Sequence, residues 1–324
     1  MSFLARIPAT PPTLMRGLAI ANLVAQIGIG VTGSVVRVTG SGLGCSTWPQ
    51  CEPGSMVPVS HAEIAPLHMW IEFSNRLLGV VVALTTAAVL LGAFRTVPRR
   101  RRLRGLALAM PVGVVAQAVI GGVTVLTGLS WWTVSLHFLA SMVLVWCSVL
   151  LVDAAGEADG PVTRTVPAAG RGLVLVSTVV LAVLLLAGTL VTAAGPHGGD
   201  PATPRLALSI PGLAQAHADV LFAYLGTLVG LGFLLHACAA PARLVRRFRV
   251  LVVVVLAQGA LGGIQYALGV PELLVSLHVL GAGLVAAAAA SVWSATSARP
   301  VPGQEPATPA DDLRSLAGTA GDRG

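Results

Sequence analysis

Eight runs of apolar residues divide this chain, at 17–37, 68–94, 105–127, 132–153, 171–194, 212–237, 249–268 and 272–293. Each approaches or exceeds the roughly 20 residues needed to cross the hydrocarbon core of a bilayer as a helix. Only 10 % of the 324 residues are charged, 55 % are hydrophobic, and the mean hydropathy is +0.84. A soluble domain carries about 25 % charged residues because water must wet its surface. The composition therefore excludes a soluble cytosolic enzyme, a nucleic-acid-binding domain and a disordered chain, in spite of a net charge of +7.

All 20 basic residues are arginine, and they cluster between particular runs. Arg95, Arg99, Arg100, Arg101, Arg102 and Arg104 follow the second run, Arg164 and Arg171 lie around the connection to the fifth, and Arg243, Arg246, Arg247 and Arg249 precede the seventh. The connections after runs one, three, five and seven hold almost none. By the positive-inside rule both termini and the even-to-odd connections are cytoplasmic, in a multi-pass protein of the cell membrane. The first run is long enough to span, and no small-residue cleavage pattern follows it, so the N-terminus does not read as a cleaved signal. Residues 1–16 form a cytoplasmic segment, 17–153 and 171–293 two four-helix halves, 154–170 a cytoplasmic linker, and 294–324 a Pro- and Gly-rich tail expected to be disordered.

The halves are joined by an internal repeat. Gln117–His137 (QAVIGGVTVLTGLSWWTVSLH) and Gln258–His278 (QGALGGIQYALGVPELLVSLH) align without a gap at an offset of 141, with 8 identities in 21 positions. A weaker echo links Gly33-Ser34…Gly40 to Gly188-Thr189…Gly195. Four spans return the chain to its starting side, so the halves share one orientation and are related by an axis along the membrane normal. The fold class is an all-α integral membrane protein whose eight transmembrane helices form two pseudo-symmetric four-helix bundles.

An ionisable residue inside a span is costly and is by default a functional hypothesis. His68, His137, His217 and His278 each lie near the outer start of an even-numbered span. His137, His217 and His278 share one depth, roughly two turns in. A single such histidine is usually a core residue bonded to a carbonyl; three at matched depth in repeated positions point elsewhere. Two imidazoles from different helices of a bundle can hold a heme iron axially, and the pair for this is His217 with His278. The first half breaks the symmetry: Asn75 stands at the position equivalent to His217, and His68 lies about two turns nearer the outer surface. Glu72 shares a helix face with His68 and Asn75 and is a candidate for acid/base or charge-stabilising work; an i,i+4 ion pair with Arg76 is the structural alternative.

Cys45 and Cys51 flank Ser-Thr-Trp-Pro-Gln in the first outer loop, where two thiols so close are oxidised rather than reduced. The bond is then either structural or redox-active. The glycine-rich stretch at 33–44 lacks the strand–turn–helix context and the lysine of a phosphate loop.

Several of these stretches together resemble the heme A synthases. Arg37-Val-Thr-Gly-Ser-Gly-Leu-Gly-Cys45 with Trp48, Pro49 and Cys51 is similar to that family's first outer loop, and Gly195-Pro-His-Gly-Gly-Asp200 to its third. Ile-Glu72-Phe-Ser-Asn75-Arg76 and the Ser-Leu-His motifs ending at His137 and His278 fit the remaining helices. The resemblance implies oxidation of the C8 methyl of heme O to a formyl group, by successive hydroxylations, giving heme A for terminal oxidases. It implies a resident heme b held through its iron by His217 and His278, a catalytic carboxylate at Glu72, and His137 as an iron ligand of the substrate heme. The family's second substrate-side histidine is Asn75 here, with His68 as the nearest substitute. Heme O synthase and an electron acceptor are implied partners, beside membrane lipid and no nucleic acid. A di-heme cytochrome b-type electron carrier and a repeat-built transporter are the readings from other classes.

Overall fold

The computed structural model describes residues 8–59 and 65–299. Its eight long helices are α1 (Pro12–Val38), α2 (Pro66–Phe94), α3 (Arg101–Leu126), α4 (Trp131–Gly156), α5 (Ala168–Ala194), α6 (Ile210–Ala237), α7 (Ala242–Ala267) and α8 (Glu272–Ala295). All are long and apolar enough to cross a membrane, and they match the eight apolar runs to within a few residues. Proline sets most of the starts. Pro12 and Pro66 open α1 and α2, and Pro167, Pro241 and Pro271 stand just before α5, α7 and α8. At a helix entry the missing N–H costs nothing and the fixed φ is already suitable.

The sequence repeat is a repeat of geometry. At the end of α3, Gly128 and Leu129 have φ of 62° and 58°; at the end of α7, Gly269 and Val270 have 76° and 63°. The Leu129 N–H donates to the Thr124 carbonyl at 2.9 Å, and the Val270 N–H to the Gln265 carbonyl at 2.8 Å. Both helices thus close through two successive left-handed residues, the first a glycine that adopts this conformation without strain. The turn delivers the chain at once into α4 or α8.

Within each half the helices close a four-membered ring: α1 packs on α2, α2 on α3, α3 on α4 and α4 on α1, and α5 to α8 repeat the arrangement. The halves meet along α1–α8, α4–α5 and α4–α8. A twofold axis parallel to the helices exchanges the first two contacts and maps the third onto itself, as parallel repeats require. Accordingly α4 and α8, beside that axis, are the most buried helices. Met142 and Val145 of α4 and Ala286 of α8 fill the seam, with Leu23 and Ile27 of α1 against them.

The dry cores of both halves lie toward the arginine-rich end. In the first half Met15, Ala19, Val89, Ala93, Leu103, Ala107 and Leu151 pack together; in the second, Val174, Leu181, Leu228, Leu231, Leu251 and Val255 do so around the buried Tyr224. The opposite ends, where the histidines enter, are outside these clusters. On the exterior, Phe222 and Phe233 are among many large apolar side chains left open, as expected where the surroundings are hydrocarbon.

Short contacts bring the arginine-rich connections onto one face. The Thr10 N–H donates to the Arg95 carbonyl, and the Arg100 guanidinium donates to the carbonyls of Ala154, Ala155 and Glu157 at the end of α4. Strand β1 (Thr163–Arg164), in the α4–α5 linker, pairs antiparallel with β2 (Ser297–Ala298), Thr163 opposite Ala298. The boundary expected at 294 is thereby corrected. Helix α8 runs to Ala295, and residues 297–298 are ordered because the linker supplies them with a backbone partner. The rest of the expected tail, 300–324, and residues 1–7 lie outside the described residues.

Candidate functional site

In each helical hairpin an odd-numbered helix presents a glycine to a polar side chain of the following even-numbered helix. A Cβ on Gly121 of α3 would stand 3.3 Å from Cε1 of His137; on Gly188 of α5, 3.1 Å from Cε1 of His217; on Gly262 of α7, 3.0 Å from Cε1 of His278. The fourth glycine, Gly33 of α1, faces Asn75, whose Nδ2 is 3.9 Å from the corresponding point. Side chains larger than hydrogen would push these rings away, so the glycines set how close each imidazole lies to its neighbouring helix. Asn75 thus occupies the place of a fourth imidazole, where its Oδ1 accepts a 2.7 Å hydrogen bond from Thr32 Oγ1.

A second repeated contact fixes the histidine helices. Gln117 Nε2 donates to the His137 carbonyl at 3.1 Å, and Gln258 Nε2 to the His278 carbonyl at 2.8 Å. Each glutamine ties the backbone beneath an imidazole to the helix that carries its glycine. The two glutamines stood out in the sequence only as identities of the repeat, and their task needed the structure.

The imidazoles themselves make few bonds with protein. Nδ1 of His137, His217 and His278 is enclosed without a hydrogen-bond partner, although the Leu184 carbonyl lies beside the His217 ring. Buried polar nitrogens left this way are uncommon and require an explanation. His217 and His278, on opposite helices of the second ring, are near enough to interact electrostatically. Among the described residues no three His, Cys, Asp or Glu side chains form a closed metal cage, so the imidazoles act singly or in pairs. Two imidazoles from facing helices, each backed by glycine, are a donor set that fits a heme iron.

Around Glu72 the first half is built differently. Glu72 is 5 % exposed; its Oε1 accepts from Arg76 Nη2 at 2.5 Å and from Arg76 Nε at 3.1 Å, while its Oε2 accepts from the Cys45 N–H at 2.7 Å. Arg76 continues into the outer loop and donates to the carbonyls of Thr47 and Gln50. The ion pair weighed as the structural alternative is therefore present, and it fastens the loop that carries the cysteines. Cys45 and Cys51 are disulfide-bonded, with Cα atoms 4.4 Å apart, and both are buried, which suits a structural bond. The Trp48 ring of this loop lies against Gly122 of α3, where any Cβ would come within 2.6 Å of it.

His68 is placed at the outer end of α2, away from the level of Asn75. Its Nδ1 is 2.9 Å from Ser41 Oγ, and its carbonyl abuts Gly44, where a Cβ would approach within 2.4 Å. Seven residues of helix separate it from Asn75, about 10 Å along the axis. The loops of the two halves at this end also interlock: Gly42 N–H donates to the Gly199 carbonyl and Arg37 to the His197 carbonyl, while within the second half His197 Nε2 lies 2.8 Å from the Val270 carbonyl. On the opposite face Asp153 of α4 receives Arg247 at 2.6 and 2.7 Å and Arg243 at 3.3 Å from α7. That clamp between the halves went unassigned in the sequence, although an aspartate at a span end and arginines at i,i+4 were its signal.

A family model described as cytochrome oxidase assembly protein (COX15-CtaA) matches residues 16–196, all of the first half and α5 of the second. Among curated proteins, a heme A synthase of Lysinibacillus sphaericus is 33 % identical over 146 residues, 45 % of this chain and 46 % of that protein. A heme A synthase of Alkalihalophilus pseudofirmus is 30 % identical over 159 residues, 48 % of this chain and 52 % of that protein. One of Geobacillus kaustophilus is 30 % identical over 146 residues. The chain spans about half the length of the curated relatives it matches. Since the family model covers more than half of its length, and the glycine-backed ring and disulfide loop lie within the matched region, the chain belongs to the cytochrome oxidase assembly protein family.

Proposed function

We propose that this protein is a heme A synthase that oxidises the C8 methyl of heme O, with both termini in the cytoplasm and the imidazole-bearing ends of the helices toward the outer face. The observation that carries the reading is the inequality of the two glycine-backed rings. One holds two imidazoles, His217 and His278; the other holds His137 opposite Asn75, with Glu72 and a fastened disulfide loop above them. The family membership and the heme A synthases among its relatives support the substrate.

In the second half His217 and His278 would hold the iron of a heme b, and that group would supply one-electron transfer. Gly188 and Gly262 leave room for the rings, and Gln258 keeps His278 at its height. In the first half His137 is the iron ligand offered to the substrate heme, with His68 the other imidazole of that half. Successive hydroxylations convert the methyl to an alcohol and then to a geminal diol, each adding an oxygen atom from water and releasing two protons and two electrons to the external electron acceptor, and loss of water from the diol leaves the formyl group. Glu72 either stabilises positive charge that develops at the reacting carbon or takes up a proton released as the new C–O bond forms. Its second oxygen accepts from the Cys45 amide, which ties the disulfide loop to α2. A bilayer-embedded site suits a substrate with a long isoprenoid tail.

The test is expression of the chain with a heme O source, followed by purification, pyridine hemochrome spectra and extraction of heme types. Heme A accumulation together with a protoheme that stays with the protein supports the reading. A protein retaining two hemes and making no heme A would instead be an electron carrier, and one without heme absorbance a transporter.

A further inference from the structure

We propose that an open cavity on the arginine-rich face binds the phosphate headgroup of an anionic phospholipid. The cavity has a volume of about 430 Å³ and lies at the seam of the two halves, among the start of α3, strand β1, the start of α5 and the end of α8. Arg102, Arg164 and Arg171 line it, together with Leu150, Leu175 and Trp293. Arg102 is already paired with Glu157 at 2.5 Å. Among the described residues the side chains of Arg164 and Arg171 make no hydrogen bond or ion pair, so two guanidinium groups border the cavity with their donors unspent.

The first turn of α5 forms part of the same wall. No side chain caps this helix, its cap position is Pro167, and no acidic residue lies in its first turn. The positive end of the helix dipole is therefore uncompensated and adds to the two arginines. Guanidinium groups suit phosphate because their planar fork offers paired donors.

The apolar part of the lining decides which phosphate. A site for a free ion would be polar all round, whereas here Leu150, Leu175 and Trp293 line the cavity together with the arginines, and Leu175 and Trp293 are themselves exposed. A Cβ at Gly172, on the same turn as Arg171, would meet nothing within 4 Å, so the cavity wall is open beside Arg171. Tryptophan at this level is the usual marker of the headgroup region. A basic pocket between spans that grades into apolar surface is built for a lipid with a charged head.

The full chain, purified in detergent, is mixed with phosphatidylglycerol or phosphatidylcholine and the retained lipid is measured by native mass spectrometry. Phosphatidylglycerol is expected to be retained in preference, and Arg164→Gln/Arg171→Gln to weaken its retention by about 30-fold. The control Arg99→Gln/Arg101→Gln removes the same charge from the same face outside the cavity and should change retention little. A second measurement needs no arginine variant: brominated phosphatidylglycerol in nanodiscs should quench the part of the fluorescence lost in Trp293→Phe, and brominated phosphatidylcholine should not. Equal retention by the pocket variant, equal loss in the control, equal quenching by the two lipids, or displacement of phosphatidylglycerol by millimolar inorganic phosphate would each overturn the proposal.

Discussion

The two halves share a scaffold down to individual contacts and differ in what they place on it. Gly262 against His278 and Gly121 against His137 are one contact made twice, as are Gln258 to the His278 carbonyl and Gln117 to the His137 carbonyl. The other hairpin of each half diverges: α6 brings His217 to Gly188, whereas α2 brings Asn75 to Gly33 and adds Glu72 one turn outward. The outer loops diverge with them. The first is closed by a disulfide and locked to Glu72 and Arg76. The third has no cysteine and is held by Arg205, which donates to the Pro196 carbonyl. On the proposed reading, the half with two matched imidazoles would keep an iron in place, and the half with His137 opposite Asn75, a carboxylate and a fastened loop would take an iron whose ligands change.

The sharpest way to break this comparison is to remove one imidazole at a time. His217→Ala or His278→Ala should abolish a low-spin, bis-imidazole heme signal in the purified protein, a near-complete loss read from the absorbance and electron paramagnetic resonance spectra. His137→Ala should leave that signal intact. A protein in which all three variants lose it equally does not have two functionally distinct halves.

Next in size is Glu72→Gln, which keeps the shape of the side chain. The Cys45 amide can still donate to its oxygen, but the charge facing Arg76 is gone. Heme A formation is expected to fall by about 100-fold or more, the scale of a lost acid/base group, while the heme of the second half stays bound and partly oxidised heme O accumulates. Normal heme A formation by well-folded Glu72→Gln would falsify the catalytic role and leave the carboxylate as a fastener of the loop.

Most of the frame could be read from the chain because membrane helices are set by local composition. Eight apolar runs bounded by prolines and arginines place eight helices whatever their neighbours, and a gap-free repeat ending in Val-Ser-Leu-His relates the halves. What escaped the sequence depends on pairs far apart in it. Trp48 against Gly122, Ser41 beside His68, and Asp153 clamped by Arg243 and Arg247 join residues 27 to 94 positions apart, and no periodicity marks them. The linker's pairing with residues 297–298 escaped for the same reason: two residues of strand carry no pattern, and the Pro-rich composition beyond them masked their partner.

A gentler change restores the missing symmetry. Asn75→His places an imidazole opposite His137 at the glycine Gly33, where the space already accommodates a planar side chain. Thr32 loses its acceptor Oδ1 but can turn to the Ile29 carbonyl, which it also approaches at 3.2 Å. The variant should retain substrate heme several-fold more strongly than the wild type through purification and show a second low-spin component. If the first half gains no such component, Asn75 does not stand where an iron ligand would. Pairing this variant with His68→Ala separates the two positions: with His68 as the working second ligand, His68→Ala weakens substrate-heme retention in the wild type and not in Asn75→His.

The smallest expected effect tests whether the repeated glutamines do equal work. Both donate to the carbonyl of a histidine, but Gln117 Nε2 also donates to Ser141 Oγ at 2.5 Å, and the residue one repeat on from Ser141 is Ala282. Both Oε1 atoms are buried without a partner, so leucine at either position removes an unsatisfied oxygen along with the donor. For Gln258→Leu one hydrogen bond is lost and one unpaired oxygen is relieved, two changes of opposite sign, and the unfolding midpoint should move little. For Gln117→Leu two bonds are lost against one oxygen relieved, and Ser141 keeps only its own bond to the His137 carbonyl. A hydrogen bond between membrane helices averages about 0.6 kcal/mol, so Gln117→Leu should be the less stable of the two by about that amount in a denaturant titration in one detergent. The spectroscopic effect should run the other way. His278 is the imidazole assigned to the resident heme, so Gln258→Leu is the variant that broadens its low-spin signal, while Gln117→Leu leaves that signal unchanged. Equal destabilisation by the two changes would place the glutamines in the packing alone, and broadening by Gln117→Leu would tie the two rings into one cooperative unit.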